Sequence, residues 1–312
     1  MKIIVTGSNG MVGSCIKNIA YQYPEHEFIF THRSGGAYSV DLTHKSSVDT
    51  FFSNHRFDYI IHLAANVGGL YKNMSNNIDM FQDNINITMN VLHACKNNGI
   101  NRGIFCLSSC IYPFKPKHFP MDESMIHDGP AHPTNEGYAY AKRMMEMLCR
   151  QYNNAFGTQY ICVIPVNLYG PYDNFSLKDG HFIPMLMHRF HVNRDNPIAY
   201  GSGKPLRQFL FAPDFAQIIC DILLSENHDI SSSVICCNDE EYTIEQIVHK
   251  VAYTMNIDKQ IISWDASYSD GCLQKTVTNN LFKKYFPNYK FTSIEDGLNQ
   301  THSWFQNNYF RL

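Results

Sequence analysis

Gly7-Ser8-Asn9-Gly10-Met11-Val12-Gly13 follows the run Lys2-Ile3-Ile4-Val5-Thr6 and opens into an apolar stretch from Met11 to Ala20. The first run is short and rich in β-branched residues and reads as a buried strand, and the last reads as a helix. A glycine loop placed between them has a definite physical use. Gly7 permits the tight turn, Gly10 lets the backbone approach a pyrophosphate, and Gly13 allows close packing of helix on strand. Ser8, Asn9, Met11 and Val12 complete a loop whose helix N-terminus offers N–H groups and a partial positive charge to phosphate oxygens. The loop has the context that a dinucleotide-binding fingerprint requires.

Outward from this loop, strand-like and helix-like segments alternate. Glu27 to Thr31, Tyr59 to Ala64, Gly103 to Leu107 and Tyr160 to Pro165 read as strands, and Met80 to Asn97 and Tyr138 to Tyr152 as helices. Alternation of this kind predicts an α/β fold, a doubly wound parallel sheet with helices on both faces. Right-handed crossovers then bring Gly7, Ala64, Ser108 and Pro165 to one edge of the sheet, where a ligand is expected. After Gly170-Pro171 a polar and aromatic loop leads to His181 and a helix from Ile183 to about His191. Phe209 to Leu224 resumes a strand and helix, and Thr243 to Met255 adds another helix. The expected division is a dinucleotide-binding unit, 1–170 with 208–236 returning to it, and a smaller C-terminal α/β substrate lobe from 171–207 and 237–312.

Composition narrows the function classes. With 312 residues, 44% of them hydrophobic, the chain buries a sizeable core. Its 25 Lys+Arg against 28 Asp+Glu give a formal charge of −3, with no basic block to follow a nucleic-acid backbone. No apolar run is long enough to span a bilayer, and the first residues read as a strand rather than a signal segment. A cytoplasmic protein with no nucleic-acid or membrane partner is expected. The ten cysteines show no C-x-x-C pair, and Cys106, Cys149, Cys162 and Cys220 lie in apolar segments, so reduced, packed thiols are expected.

Tyr138-x-x-x-Lys142 places a phenol and an ammonium on one helix face. The lysine is expected to lower the phenol's pKa and ready it for proton transfer. The pair opens the helix after the Ser108 strand end, so hydroxyl, phenol and ammonium converge beside the loop. His188 and His191 share helical spacing, but no carboxylate or cysteine joins them in a recognised pattern. No metal is expected, and an exposed helix face accounts for both.

The loop, Ser108 and the Tyr138/Lys142 pair resemble the extended short-chain dehydrogenase/reductases, which combine a Rossmann-type domain with a nucleotide-sugar lobe. More narrowly, four segments resemble the GDP-L-fucose synthase family: His62-Leu63-Ala64-Ala65-Asn66-Val67-Gly68-Gly69, Ser108-Ser109-Cys110-Ile111-Tyr112-Pro113, the run Pro165 to Phe175, and Asp179-Gly180-His181. The resemblance covers nearly the whole chain. It implies an NADP-dependent oxidoreductase and epimerase, commonly homodimeric, that converts GDP-4-keto-6-deoxy-D-mannose to GDP-L-fucose. By resemblance Ser108 hydrogen-bonds the C4 carbonyl, Tyr138 protonates its oxygen and Lys142 holds the nicotinamide ribose. Cys110 and His181 correspond to the base and acid that invert C3 and C5.

An arginine at the end of the second strand suits a ribose 2′-phosphate, and this chain reads Phe30-Thr31-His32-Arg33-Ser34, which favours NADP(H). Asn9 departs from family members that carry a basic residue there. By resemblance Asp41-Leu42 and Ala64-Ala65 lie on the adenine side. Leu107, Ser108, Tyr138, Lys142, Pro165-Val166-Asn167-Leu168 and His181 complete the cofactor site, and Arg189, Tyr200, Arg207 and Asp270 fall at substrate positions. Rival readings are a reductase or epimerase of the GDP-colitose or GDP-deoxytalose type and a non-catalytic NADP-binding regulator. A 4,6-dehydratase would need an acidic pair where this chain has Ser109-Cys110.

Overall fold

The chain was described in a computed structural model over residues 1–68, 76–226, 230 and 232–309; Gly69 of the quoted motif lies outside the described residues. Lys2–Thr6 (β1), Glu27–Phe30 (β2), Tyr59–His62 (β3), Arg102–Cys106 (β4) and Gln159–Pro165 (β5) are successive strands of one sheet. Next come Asn167–Tyr169 (β6), Ile198–Tyr200 (β7), Leu206–Arg207 (β8), Phe209–Phe211 (β9) and Ser233–Cys236 (β10). The last of these returns to make a six-stranded parallel sheet in the order β10-β5-β4-β3-β1-β2. Ile3, Ile4 and Val5 have no exposure at all. Their side chains point alternately to both faces, so continuous burial is the signature of a sheet covered on each side.

The chain steps from β1 outward to β2 and then back across to β3, which leaves a crevice between their C-terminal ends. The Met11–Ile19 and Ala212–Leu224 helices pack together, and Asn77–Asn97 packs between Lys45–Asn54 and Glu136–Phe156. Right-handed crossovers place these two groups on opposite faces. The expected doubly wound α/β fold is therefore present. Two helices start earlier than the sequence reading gave, at Asn77 and Glu136.

The remaining residues build a smaller lobe over the same edge. Tyr242–Thr243 (β11), Ser263–Asp265 (β12) and Gln274–Lys275 (β13) pair with β8, β7 and β8 respectively. Thr243 caps the Ile244–Thr254 helix through a reciprocal pair of hydrogen bonds with Gln246, satisfying two donors that a helix start otherwise leaves unmade. A second core of Phe175, Ile183, Phe190, Val248, Leu298 and Phe305 fills this lobe. The cores interlock: Tyr169, Phe209 and Phe211 belong to the smaller one, whereas Val277 and Phe282 pack into the larger. No helix among the described residues is long and apolar enough to cross a membrane.

Candidate active site

The glycine loop shows why it needs glycines. Gly7 has φ +71°, and a Cβ there would lie 2.7 Å from the Ala64 nitrogen; at Gly13 it would lie 2.5 Å from the Ser8 Cα. Loop, helix and the β3 end are thus in backbone contact. Thr6 fixes that contact, because its Oγ1 accepts from the Ala64 N–H at 3.3 Å and hydrogen-bonds His62 Nδ1 at 2.8 Å. Gly10 is the N-cap of the Met11–Ile19 helix, and no side chain caps that helix. An uncapped N-terminus behind a glycine loop fits the phosphates of a dinucleotide.

Two adjoining cavities share Gly7, Asn9, Gly10, Leu63, Ala65 and Val67. The first, about 590 Å³, is walled by Arg33, Asp41, Leu42 and Ala64. Arg33 closes on Asp41, with Nη2 and Nε at 3.1 and 3.2 Å from Oδ2. Burial pushes the Asp41 carboxyl up, but hydrogen bonds from Thr43 and the Arg33 charge outweigh it and leave its pKa below the ordinary value. Asn9 is not basic, yet its Oδ1 accepts from Lys17 Nζ at 2.9 Å, which brings a cation to the loop from the following helix. Ser8 is fully buried beneath the loop, and its backbone N–H donates to the Thr31 carbonyl at 3.2 Å.

The second cavity, about 740 Å³, runs from the loop to the smaller lobe. Met11, Val12, Gly13, Leu107, Ser108, Cys110, Tyr138, Lys142, the segment 165–168, His181, Arg207 and Asp270 all line it. Ser108, two residues past the end of β4, caps a short turn, its Oγ accepting from the Cys110 N–H at 3.2 Å. That turn points Cys110 into the cavity rather than into the core. Lys142 is 4% exposed and donates from Nζ to the Cys106 carbonyl at 2.7 Å.

Tyr138 differs from expectation. Its pKa is raised well above the ordinary value by burial first, then by electrostatic repulsion from the Cys110 and Cys106 sulfurs, with hydrogen bonding to Ser108 pulling weakly the other way. The ammonium expected to lower it sits 5.8 Å from the ring centroid and is engaged with the Cys106 carbonyl. The phenol is therefore held as the acid.

Cys110 and His181 are shifted in opposite senses. Burial alone would raise the Cys110 pKa, but the Lys275 charge and hydrogen bonding with Ser108, Lys275 and Asn135 together bring it below the ordinary thiol value. Lys275 Nζ lies 3.2 Å from Cys110 Sγ. His181 Nδ1 donates to Asp173 Oδ1 at 3.2 Å. That hydrogen bond raises the imidazole's pKa, burial opposes it, and the charges of Asp173 and Cys110 add to the rise. Asp173 is 7% exposed. The sequence reading missed Lys275, Asn135 and the part played by Asp173; only Asp173 stood within a motif already singled out.

Arg189 and Tyr200 do not line either cavity. The Arg189 guanidinium lies 3.5 Å from the Tyr200 ring centroid and Tyr268 stacks at 3.7 Å. Two groups that close must occupy opposite faces, so the Tyr200 ring has no face open to a base. Asp270 accepts from the Ser202 N–H at 2.7 Å and the Ser202 hydroxyl at 2.6 Å. His188, expected on an exposed face, is instead half-buried, with Nδ1 donating to the Phe175 carbonyl at 2.7 Å, because the C-terminal Phe305 and Tyr309 cover that side. No group of three or more metal-ligating side chains occurs among the described residues.

A Rossmann-type crevice with a Ser, Tyr and Lys set at the strand ends defines a class, and the chain belongs to the NAD dependent epimerase/dehydratase family, which residues 3–235 match. It is 37% identical over 311 residues to the GDP-L-fucose synthase of Dictyostelium discoideum, covering 98% of this chain and 96% of that protein. It is 30% identical over 312 residues to the GDP-L-colitose synthase of Yersinia pseudotuberculosis, covering 98% of each. The solved structure of a GDP-L-fucose synthetase from Naegleria fowleri bound to NADP superposes with a TM-score of 0.89 at 34% identity, over 99% of this chain and 93% of that one.

Proposed function

We propose that the protein catalyses NADPH-dependent 3,5-epimerisation and 4-reduction of GDP-4-keto-6-deoxy-D-mannose to GDP-L-fucose. One observation carries this reading: a single cavity holds both a ketone-reducing set, Ser108, Tyr138 and Lys142, and a separate thiol and imidazole, Cys110 and His181. A plain reductase has no use for the second pair. The relatives named as GDP-L-fucose synthase or synthetase support the same product, and the relative named as GDP-L-colitose synthase stands for the alternative.

The loop from Gly7 to Gly13, the Arg33 and Asp41 pair, Ala64-Ala65, Leu107, Lys142 and the segment 165–168 would hold the cofactor. When bound there, NADPH would supply hydride for reduction at C4. The C4 ketone acidifies the hydrogens at C3 and C5. Cys110 as thiolate removes one of them, the electron pair moves onto the C4 oxygen, and Ser108 and Tyr138 stabilise that oxyanion. His181 as imidazolium returns a proton to the opposite face, leaving the centre inverted. Tyr138, held protonated, then gives its proton to the C4 oxygen on reduction. Arg207 is a permanent charge suited to a diphosphate, and we assign Arg189, Tyr200 and Asp270 to shaping the lobe around it.

Residues 1–170 with 208–236 form the cofactor unit in this reading, and 171–207 with 237–312 the substrate unit. Exposed Ile78, Phe81 and Met89 on one helix and Tyr140 and Met147 on its neighbour support a homodimer, which light scattering would report as twice the chain mass. A reducing cytoplasm suits ten unpaired thiols.

The test is turnover of GDP-4-keto-6-deoxy-D-mannose in deuterated water. NADPH-dependent GDP-L-fucose carrying deuterium at C3 and C5 is the expected product; NADPH oxidation without that label would leave only a 4-reductase. Replacing Asp173 with Asn is expected to lower the His181 pKa. Imidazolium is then lost at lower pH, so the alkaline fall of C3/C5 exchange should move down by about a unit, with a loss of about tenfold at the old limb. The stabilising contact runs the same way: it is fully present below the ordinary histidine pKa of 6.5 and lost as pH rises through the raised value. An unmoved limb would separate Asp173 from the acid.

A further inference from the structure

Lys275 belongs to no motif, yet it occupies a built position. It ends β13, where it is the parallel register partner of Arg207 in β8. The segment is pinned on both sides: the Leu206 N–H donates to the Leu273 carbonyl at 2.8 Å, and the Met121 N–H donates to the Thr276 carbonyl at 2.9 Å. Between these fixed points the half-buried Lys275 reaches the Cys110 sulfur at 3.2 Å, across 165 residues of sequence.

We propose that Lys275 is a positioning residue that keeps Cys110 as the thiolate and holds its sulfur facing the reacting carbon. The inference rests on the reading of Cys110 as the base. An ammonium within hydrogen-bond reach of a sulfur favours the charged form of that sulfur, since it supplies both a donor and an opposite charge. Other groups face the same thiol. Tyr138 from the Glu136–Phe156 helix is neutral, His181 before the Phe182–Val192 helix carries positive charge when paired with Asp173, and Arg207 in β8 carries another. Arg207 turns its guanidinium elsewhere, to the Leu206 and Cys272 carbonyls. Lys275 is the cation whose ammonium bonds the sulfur. When the thiolate takes a proton from carbon it becomes a neutral thiol, the electron pair passing to the C4 oxygen. Lys275 keeps its own protons throughout and then favours release of that proton from sulfur, which resets the base.

The experiment follows alkylation of Cys110 by iodoacetamide against pH in the free protein, resolved by peptide mass spectrometry so that each cysteine is read separately. No sugar nucleotide is present, so this result stands apart from the identity of the substrate. The wild-type midpoint should lie below the ordinary thiol value. Lys275→Met should raise the midpoint by about one unit or more and slow alkylation at pH 7 about tenfold, and Lys275→Arg should restore most of both. C3/C5 exchange should follow with a KM-independent fall in kcat for Lys275→Met. An unchanged Cys110 midpoint in Lys275→Met would overturn the proposal. If that variant does not fold, the wild-type protein decides alone: a midpoint at or above the ordinary value overturns the assignment. Normal alkylation shifts without any C3/C5 exchange on GDP-4-keto-6-deoxy-D-mannose would leave Lys275 in place and instead remove the proposed substrate.

Discussion

Tyr138→Phe is expected to lower the rate of NADPH oxidation about 100- to 10,000-fold, the range that follows loss of a positioned general acid, while NADPH binding changes by no more than a few-fold. The argument rests on the phenol's surroundings. Tyr138 is 9% exposed at the start of its helix, so the phenylalanine ring fills the same space and the fold is kept. What is lost is the proton for the C4 oxygen. Burial and electrostatic repulsion from the Cys110 and Cys106 sulfurs hold that proton on the phenol, so the enzyme rests with its acid loaded. Stopped-flow absorbance of the nicotinamide measures the loss, and fluorescence titration measures binding. Wild-type oxidation rates in the variant would remove Tyr138 from the chemistry. C3/C5 exchange should survive better than reduction, because Ser108 still serves the enolate oxygen.

Cys110→Ser is expected to do the reverse. Deuterium exchange at C3 and C5 should fall about 100- to 10,000-fold, with NADPH affinity unchanged. A serine hydroxyl at this place is nearly isosteric, but its proton is held far too tightly for the neighbouring Lys275 charge to leave an alkoxide, so no base remains. The product distribution is the sensitive measure: reduction without inversion should give the C4-reduced sugar with unlabelled C3 and C5. Full labelling by the variant would return Cys110 to being a small packed residue beside an apolar strand.

Much of this was legible along the chain, for a reason the residues make plain. The glycine loop, the strand ends at Ala64, Ser108 and Pro165, and the Tyr138/Lys142 spacing are all local patterns, and a parallel sheet carries local patterns to one edge without further information. The cation on Cys110 was not legible, because Lys275 arrives from a two-residue strand whose place depends on β8 and Met121. The ionisation of Tyr138 was read with the wrong sign. Helical spacing brings Lys142 near the ring, but the Cys106 carbonyl decides where its ammonium points. His188 failed for a similar reason, since the C-terminal aromatic residues that cover it lie more than a hundred positions away. Arg33 was visible as a cation at the end of β2, whereas its closure on Asp41 depends on the course of the intervening loop.

The return of β10 to the main sheet has a consequence for biosynthesis. The edge strand beside β5 is Ser233–Cys236, made only after about seventy further residues have been added. Until then a nascent chain presents β5, a strand apolar from Tyr160 onward, with an open edge of unpaired N–H and C=O groups, the kind of edge on which chains pair with one another. A ribosome-bound intermediate of this protein therefore depends on protection that the finished molecule supplies for itself, and a fragment ending near residue 170 should aggregate rather than persist as an autonomous cofactor-binding domain.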